Sequence, residues 1–287
     1  MAMNRELLGR EYRQAEKHVI DTEQIRRHRD AICAQSFTPL PDYAQRVPAS
    51  CSLTICQGAL TAALLDGDLG LDAMRLVFEG LDISYVHEPI LDNETAASAT
   101  VTEITSTPDG ERLLLDLQLC QPTLGPVMNA RVAFLERNPR PKPENDGHTG
   151  ASTSTDAEKP RYYFEHAIPL RMDTLTELLD VLGEFNPIYR DVELAQLANL
   201  PGPCLPQSCV FALAHHAVEQ ALGKSAHRIT RVAGRFARTP WVGDTLRVRV
   251  GSANGRNGFI EILDSTHRQV FADAFFEADS DDGETQV

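Results

Sequence analysis

Glu184 and Tyr189 stand five residues apart in "GEFNPIYRD", residues 183–191. Gly183, Asn186 and Pro187 break this stretch, so it reads as a loop. A carboxyl beside a phenol can do acid–base chemistry. The carboxylate accepts a proton; the phenol, with a reference pKa of about 10, donates one but is a poor base near neutral pH. The plainer reading is that both groups satisfy hydrogen bonds within the loop. Asn186 either orients the loop and contacts a substrate or serves as an ordinary turn residue before Pro187. Asp191 reads as a helix cap for "VELAQLA".

Further along, "PQSCVFALAHHAVEQALG" opens at Pro206 and runs as a largely apolar helix. Its first backbone amides, on Gln207 and Ser208, are free to be offered to a carbonyl, whereas Pro206 donates none. Cys209 lies where a thiolate is favoured, but Cys51 holds the matching place in an earlier Pro-x-Ser-Cys stretch, so Cys209 reads as structural. His215 and His216 follow on the same helix, either as a base or as satisfied core histidines. His87 with Glu88 reads as a surface pair. No glycine-rich phosphate loop and no Cys/His spacing typical of zinc occurs, so neither a redox nucleotide nor a metal is implied.

The elements that must position these residues come in two similar halves. The chain has 287 residues and a net charge of −14 without a basic stripe, which argues against nucleic acid or an anionic membrane as partner. No run approaches the roughly 20 apolar residues that span a bilayer, and the charged N-terminus lacks the apolar core of a secretory signal. The six cysteines read as reduced thiols of a cytoplasmic protein. Residues 139–160, rich in Pro, Ser, Thr and charge, read as a flexible linker between a repeat at 1–138 and another at 161–278, with a disordered acidic tail at 279–287. "SFTPL" from Ser36 matches "EFNPI" from Glu184, and each is followed by Pro-x-Ser-Cys (Pro48 to Cys51, Pro206 to Cys209) opening a buried helix. Strand signals follow each helix: 77–90, 95–107, 111–120 and 126–137, then 229–242, 244–253, 258–265 and 269–279. One buried helix before a run of antiparallel strands, twice, gives an α+β fold in which each curved sheet wraps a helix.

On these residues the chain resembles a double hot-dog protein of the MaoC-like family, which holds (R)-specific enoyl-CoA hydratases and (3R)-hydroxyacyl dehydratases. "LLGREY", the helix from Asp21 to Ala34 and "GLDISYVHEPI" resemble the degenerate N-terminal repeat. "FNPIYRD", "LANLPGP" and "GRFARTPWVGDTLRVRV" resemble the catalytic one. The resemblance implies a tunnel for an acyl chain between the repeats. It also implies a water held by an Asp and a His of Gly-Asp-x-Asn-Pro-x-His, and helix-start amides that polarise the thioester. Here Glu184 stands at the Asp position and Tyr189 at the His position, while Pro206-Gln207 replaces a His-Gly. The extra methylene of Glu184 displaces its carboxylate by about one bond length, and a misplacement of about 1 Å can cost on the order of 100-fold.

Within that frame the expected catalytic residues are Glu184 and Tyr189, with Asn186, Gln207, Ser208, His215, Arg235 and Trp241 as substrate contacts. Arg235 and Arg238 fall on opposite faces of a predicted strand, where one reaches a phosphate of CoA or of a carrier arm unless both are simply solvated. Trp241 lines the tunnel mouth or packs. The leading expectation is a dehydratase or hydratase acting on an acyl thioester or polyketide-type chain. It would have no cofactor beyond the CoA or acyl carrier protein that presents the substrate. A repurposed isomerase or cyclase, and a non-catalytic partner of an active hydratase, stay open. So do a homodimer and a hetero-oligomer with a related hot-dog subunit.

Overall fold

The computed structural model describes residues 2–39, 47–138, 162–197, 200–223, 227–252 and 256–280. The stretch read as a linker and the tail beyond residue 280 lie outside the described residues.

Two short strands, β1 (Glu11–Arg13) and β2 (His18–Val19), precede helix α1 (Thr22–Cys33). Asp21 caps α1 by accepting the Gln24 amide at 2.6 Å. The apolar run after Pro48 forms α2 (Ala49–Ile55) and α3 (Gln57–Leu64) where a single helix was expected. The cause sits at Cys56, whose amide lies 3.1 Å from the Leu53 carbonyl and 3.4 Å from that of Ser52, a tightened turn that divides the helix. Strands β3 (Leu76–Tyr85), β4 (Glu94–Thr107), β5 (Gly110–Gln121) and β6 (Gly125–Arg137) complete the first half.

The second half opens on a strand the sequence reading missed, β7 (Tyr162–Pro169), then α4 (Met172–Val181), α5 (Val192–Leu197) and α6 (Gln207–Leu222). Strands β8 (His227–Phe236), β9 (Thr245–Ser252), β10 (Asn257–Leu263) and β11 (Gln269–Ser280) follow. β8 was expected to run to residue 242 but ends at Phe236, before Pro240, which has no amide to donate to a ladder. β11 reaches Ser280, two residues into the expected tail.

Among the described residues the strands form one 11-stranded sheet in the order β1-β4-β5-β6-β3-β8-β11-β10-β9-β7, with β2 against β4. The halves meet edge to edge through antiparallel β3 and β8, with Leu81 opposite Gly234. A Cβ on Gly80 would lie 2.8 Å from the Gly234 carbonyl oxygen, and one on Gly234 would lie 2.3 Å from the Phe271 ring. This seam closes only with glycine at both positions.

Inside the sheet α6 is buried along its whole middle, Cys209 to Val218. Alternate residues of β5, Leu113, Leu115, Leu117 and Leu119, face the same core. A buried ion pair ties the halves together: Arg29 of α1 lies 3.6 Å from Glu219 of α6, and Glu219 also sits 3.1 Å from His216 Nδ1. Among the described residues no helix is long and apolar enough to cross a membrane.

Candidate active site

Glu184 is aimed by the end of α4. Gly183 takes φ +72°, its amide bonds to the Asp180 carbonyl at 3.1 Å, and the Glu184 amide reaches back to the Leu179 carbonyl at 2.8 Å. This pair of bonds is a Schellman motif, which stops the helix on a left-handed glycine. Arg190 fastens the loop from the other side, donating to the Glu184 carbonyl at 3.1 Å while pairing with Asp180 at 2.6 Å.

The rest of the loop is held by local caps. The Asn186 side chain accepts the Ile188 amide at 3.2 Å and starts a single 3-10 turn over Pro187–Tyr189. Asp191 accepts the amides of Glu193 at 2.8 Å and Leu194 at 3.1 Å, as its reading as a cap of α5 anticipated. Asn186 is exposed, and its side-chain oxygen holds this turn.

The carboxyl of Glu184 points inward to the start of α6. Ser208 Oγ donates to its Oε1 at 2.5 Å, and Gln57 Nε2, from α3 of the first half, donates to the same oxygen at 3.4 Å. Burial holds this carboxyl above the usual carboxylate range, and the Ser208 hydrogen bond opposes that rise. Burial, then the Glu184 charge, raises the Tyr189 phenol well above its ordinary value, so it stays protonated. A carboxylate with elevated proton affinity and a neutral phenol within its electrostatic reach are groups that can take and give a proton.

At the head of α6, Pro206 makes no side-chain cap, and its carbonyl takes the amides of Cys209 at 3.1 Å and Val210 at 3.2 Å. The amides of Gln207 and Ser208 precede these as the first two of the helix, which have no intrahelical acceptor. Gln207 also donates through its side chain to Thr239 at 3.4 Å, in the β8–β9 connection. Trp241 belongs to the same connection; its backbone pairs with Cys204, just upstream of α6. Glu184, Tyr189, Gln207 and Ser208 thus come together, with Trp241 on the adjoining loop.

Two expected contacts are not brought to this place. Arg235 sits on the exposed side of β8, paired with Asp273 at 2.9 Å, because the strand alternation that buries Phe236 turns Arg235 outward. Arg238 is not on the opposite strand face either, since β8 has ended; it is exposed in the connection next to Thr239. His215 lies seven residues beyond Ser208 on α6, about 10 Å along its axis. There it packs against Tyr85 and Phe211, and burial lowers its proton affinity. Cys209 is fully buried and its thiol is raised well above the ordinary range, which suits a packing role rather than a nucleophile. Gln57 and Arg190 were not anticipated. Arg190 follows Tyr189 directly in the loop, whereas Gln57 reaches Glu184 across 127 residues and left no local signal.

Residues 154–272 match the family described as "MaoC like domain". The second half of the chain carries a MaoC-like domain. The MaoC-like dehydratase of Phytophthora capsici is similar in structure at 13% identity, with a TM-score of 0.76 over 98% of this chain and 99% of that one. HtdX of Mycobacterium tuberculosis is similar at 13% identity, with a TM-score of 0.70 over 94% of this chain and 100% of that one. A conserved hypothetical protein of M. tuberculosis, described as having a double hotdog fold, gives a TM-score of 0.55 at 12% identity over 94% of this chain and 95% of that one. No curated protein matches the chain in sequence. The fold is a double hot-dog, α+β, with Glu184 and Tyr189 inside the stretch that matches the MaoC-like family.

Proposed function

We propose that this MaoC-like protein is a hydratase/dehydratase of an acyl thioester. The observation that carries the reading is the buried Glu184 carboxyl: one oxygen is held by Ser208 and Gln57, and the whole group sits at the amino end of α6. In the hydration direction Glu184 takes a proton from water, and the water oxygen forms a bond to C3 of a 2-enoyl thioester. The C2–C3 π pair moves to C2, with charge shared by the thioester oxygen. The amides of Gln207 and Ser208 stabilise that oxygen. Tyr189 delivers a proton to C2 and recovers one from Glu184, so the enzyme ends as it began. Dehydration runs the same steps backward.

Tyr189 is protonated near neutral pH and so carries a proton to give, although burial makes it a weaker acid than a free phenol. Arg238, exposed beside Thr239, is our candidate for a phosphate of CoA or of a carrier arm; it takes the place first given to Arg235. The test is turnover of short and medium 2-enoyl-CoAs by the purified chain, beside Tyr189→Phe. We expect hydration by the native protein and a loss of about 10²-fold in kcat in Tyr189→Phe, at the low end for a general acid. No turnover by the native chain on any thioester would leave the partner-subunit reading in its place.

A further inference from the structure

We infer that Gln57, contributed by the first half of the chain, is a positioning residue that fixes which oxygen of Glu184 does the proton transfer. This inference rests on Glu184 acting as the base. Both ends of the Gln57 amide are accounted for at the loop. Its Nε2 donates to Glu184 Oε1 at 3.4 Å, and its Oε1 lies so close over Gly183 that a Cβ there would stand 2.4 Å from it. The amide therefore lies along the Gly183–Glu184 segment, with its donor end turned to the carboxylate.

Ser208, from α6 of the second half, donates to the same oxygen at 2.5 Å. Two donors from opposite halves thus converge on Oε1, and neither engages Oε2. Among the described residues no donor engages Oε2, which leaves its lone pairs to a substrate water. A neutral amide suits this place. It can donate to the carboxylate without adding charge, where a lysine would suppress its basicity and a second carboxylate would repel it.

The other groups facing Glu184 leave the titration to this carboxyl. Tyr189 is raised out of range, and Cys209 of α6 is raised well above the ordinary thiol value. Cys204, near Tyr189, is pushed up to about 11. Arg190 bonds the Glu184 carbonyl rather than its carboxylate, and Asp180 accompanies its charge.

Gln57→Leu and Gln57→Met in the full chain test the inference, the second variant standing in if the first fails to fold. With a 2-enoyl-CoA, both are expected to lower kcat about tenfold with KM changed less than about twofold. The acid limb of the pH–rate profile should move to higher pH by about half a unit to one unit, because losing a donor to the carboxylate makes it hold its proton longer. A merely structural role would lower stability and leave that limb in place. A second readout needs no turnover: the infrared carboxyl band that disappears in Glu184→Gln, titrated in native protein and in the Gln57 variants. An upward move of its midpoint supports the inference even if no thioester is hydrated, in which case the hydratase reading alone falls. An unchanged midpoint overturns the role of Gln57 whether or not the chain is a hydratase.

Discussion

Glu184→Gln lowers kcat for enoyl-thioester hydration by about 10³-fold, within the range for removing a general base, while KM moves by less than about threefold. The substitution keeps the acceptor oxygen that meets Ser208 and removes only the capacity to take a proton. Its effect on stability has the opposite sign. Burial raises the proton affinity of the folded carboxyl, so the native state favours the protonated acid. The contribution of Glu184 to stability is then fully present below the ordinary carboxylate range and is lost as pH rises through the raised value. At neutral pH the native protein carries the cost of a buried charge that the glutamine variant lacks. Thermal melts should show Glu184→Gln at least as stable as native protein at pH 7, with the advantage shrinking as pH falls. A variant that was both slow and markedly less stable at pH 7 would make Glu184 a structural residue.

The second large effect concerns the joint between the halves. Glu219→Ala should destabilise the protein by about 3 kcal/mol, because it removes a carboxylate partner from a guanidinium that is only 5% exposed. The Glu219 side chain is itself 19% exposed, which places the expectation at the low end for buried pairs. The midpoint of a thermal melt should fall by roughly 5–10 °C. Arg29→Met combined with Glu219→Met should recover most of that loss, since burying two apolar side chains avoids desolvating two charges. The pH dependence follows from the same cluster. Burial raises the Glu219 carboxyl, but the hydrogen bond with His216 and the neighbouring His215 and Arg29 outweigh it and hold the group below its ordinary range. Its contribution is therefore present above the ordinary carboxylate value and fades as acid approaches the depressed one. Equal acid sensitivity in native protein and in the double variant would contradict this assignment.

Much of the architecture was legible because it is written in local pattern. The run from Cys209 to Val218 is apolar almost without interruption, and a helix of that kind is buried wherever it lies. Alternation in "ERLLLDLQLC" gave β5 nearly to the residue. The two Pro-x-Ser-Cys openings announced the duplication, although the serines have diverged in their partners. Ser208 holds Glu184, whereas Ser50 lies 2.7 Å from His28 Nε2, and Ser36 occupies the place that Glu184 fills in the second half. The tightened turn at Cys56 has no marker in composition, so two helices read as one. β7 was missed because it adjoins the polar run before it, and its pairing is with β9, far along the chain.

The site was legible only in part, for a related reason. Glu184 and Tyr189 stood out by type and spacing, and Asp191 by its place before a helix. What tunes Glu184 comes from elsewhere: Ser208 is 24 residues away and Gln57 is 127. Reading β8 past Phe236 gave Arg235 and Arg238 a geometry that the chain turn abolishes. His215 was grouped with the site by helix membership, yet two turns of α6 separate it from Ser208.

The most direct test is a crystal structure of the full chain with a non-hydrolysable 2-enoyl thioester bound. The account predicts the thioester oxygen at the amides of Gln207 and Ser208. One water should lie within hydrogen-bond reach of Glu184 Oε2 and roughly 3–3.5 Å from C3. A ligand seated away from α6, or a C3 atom that no water held by Glu184 can reach, would contradict it.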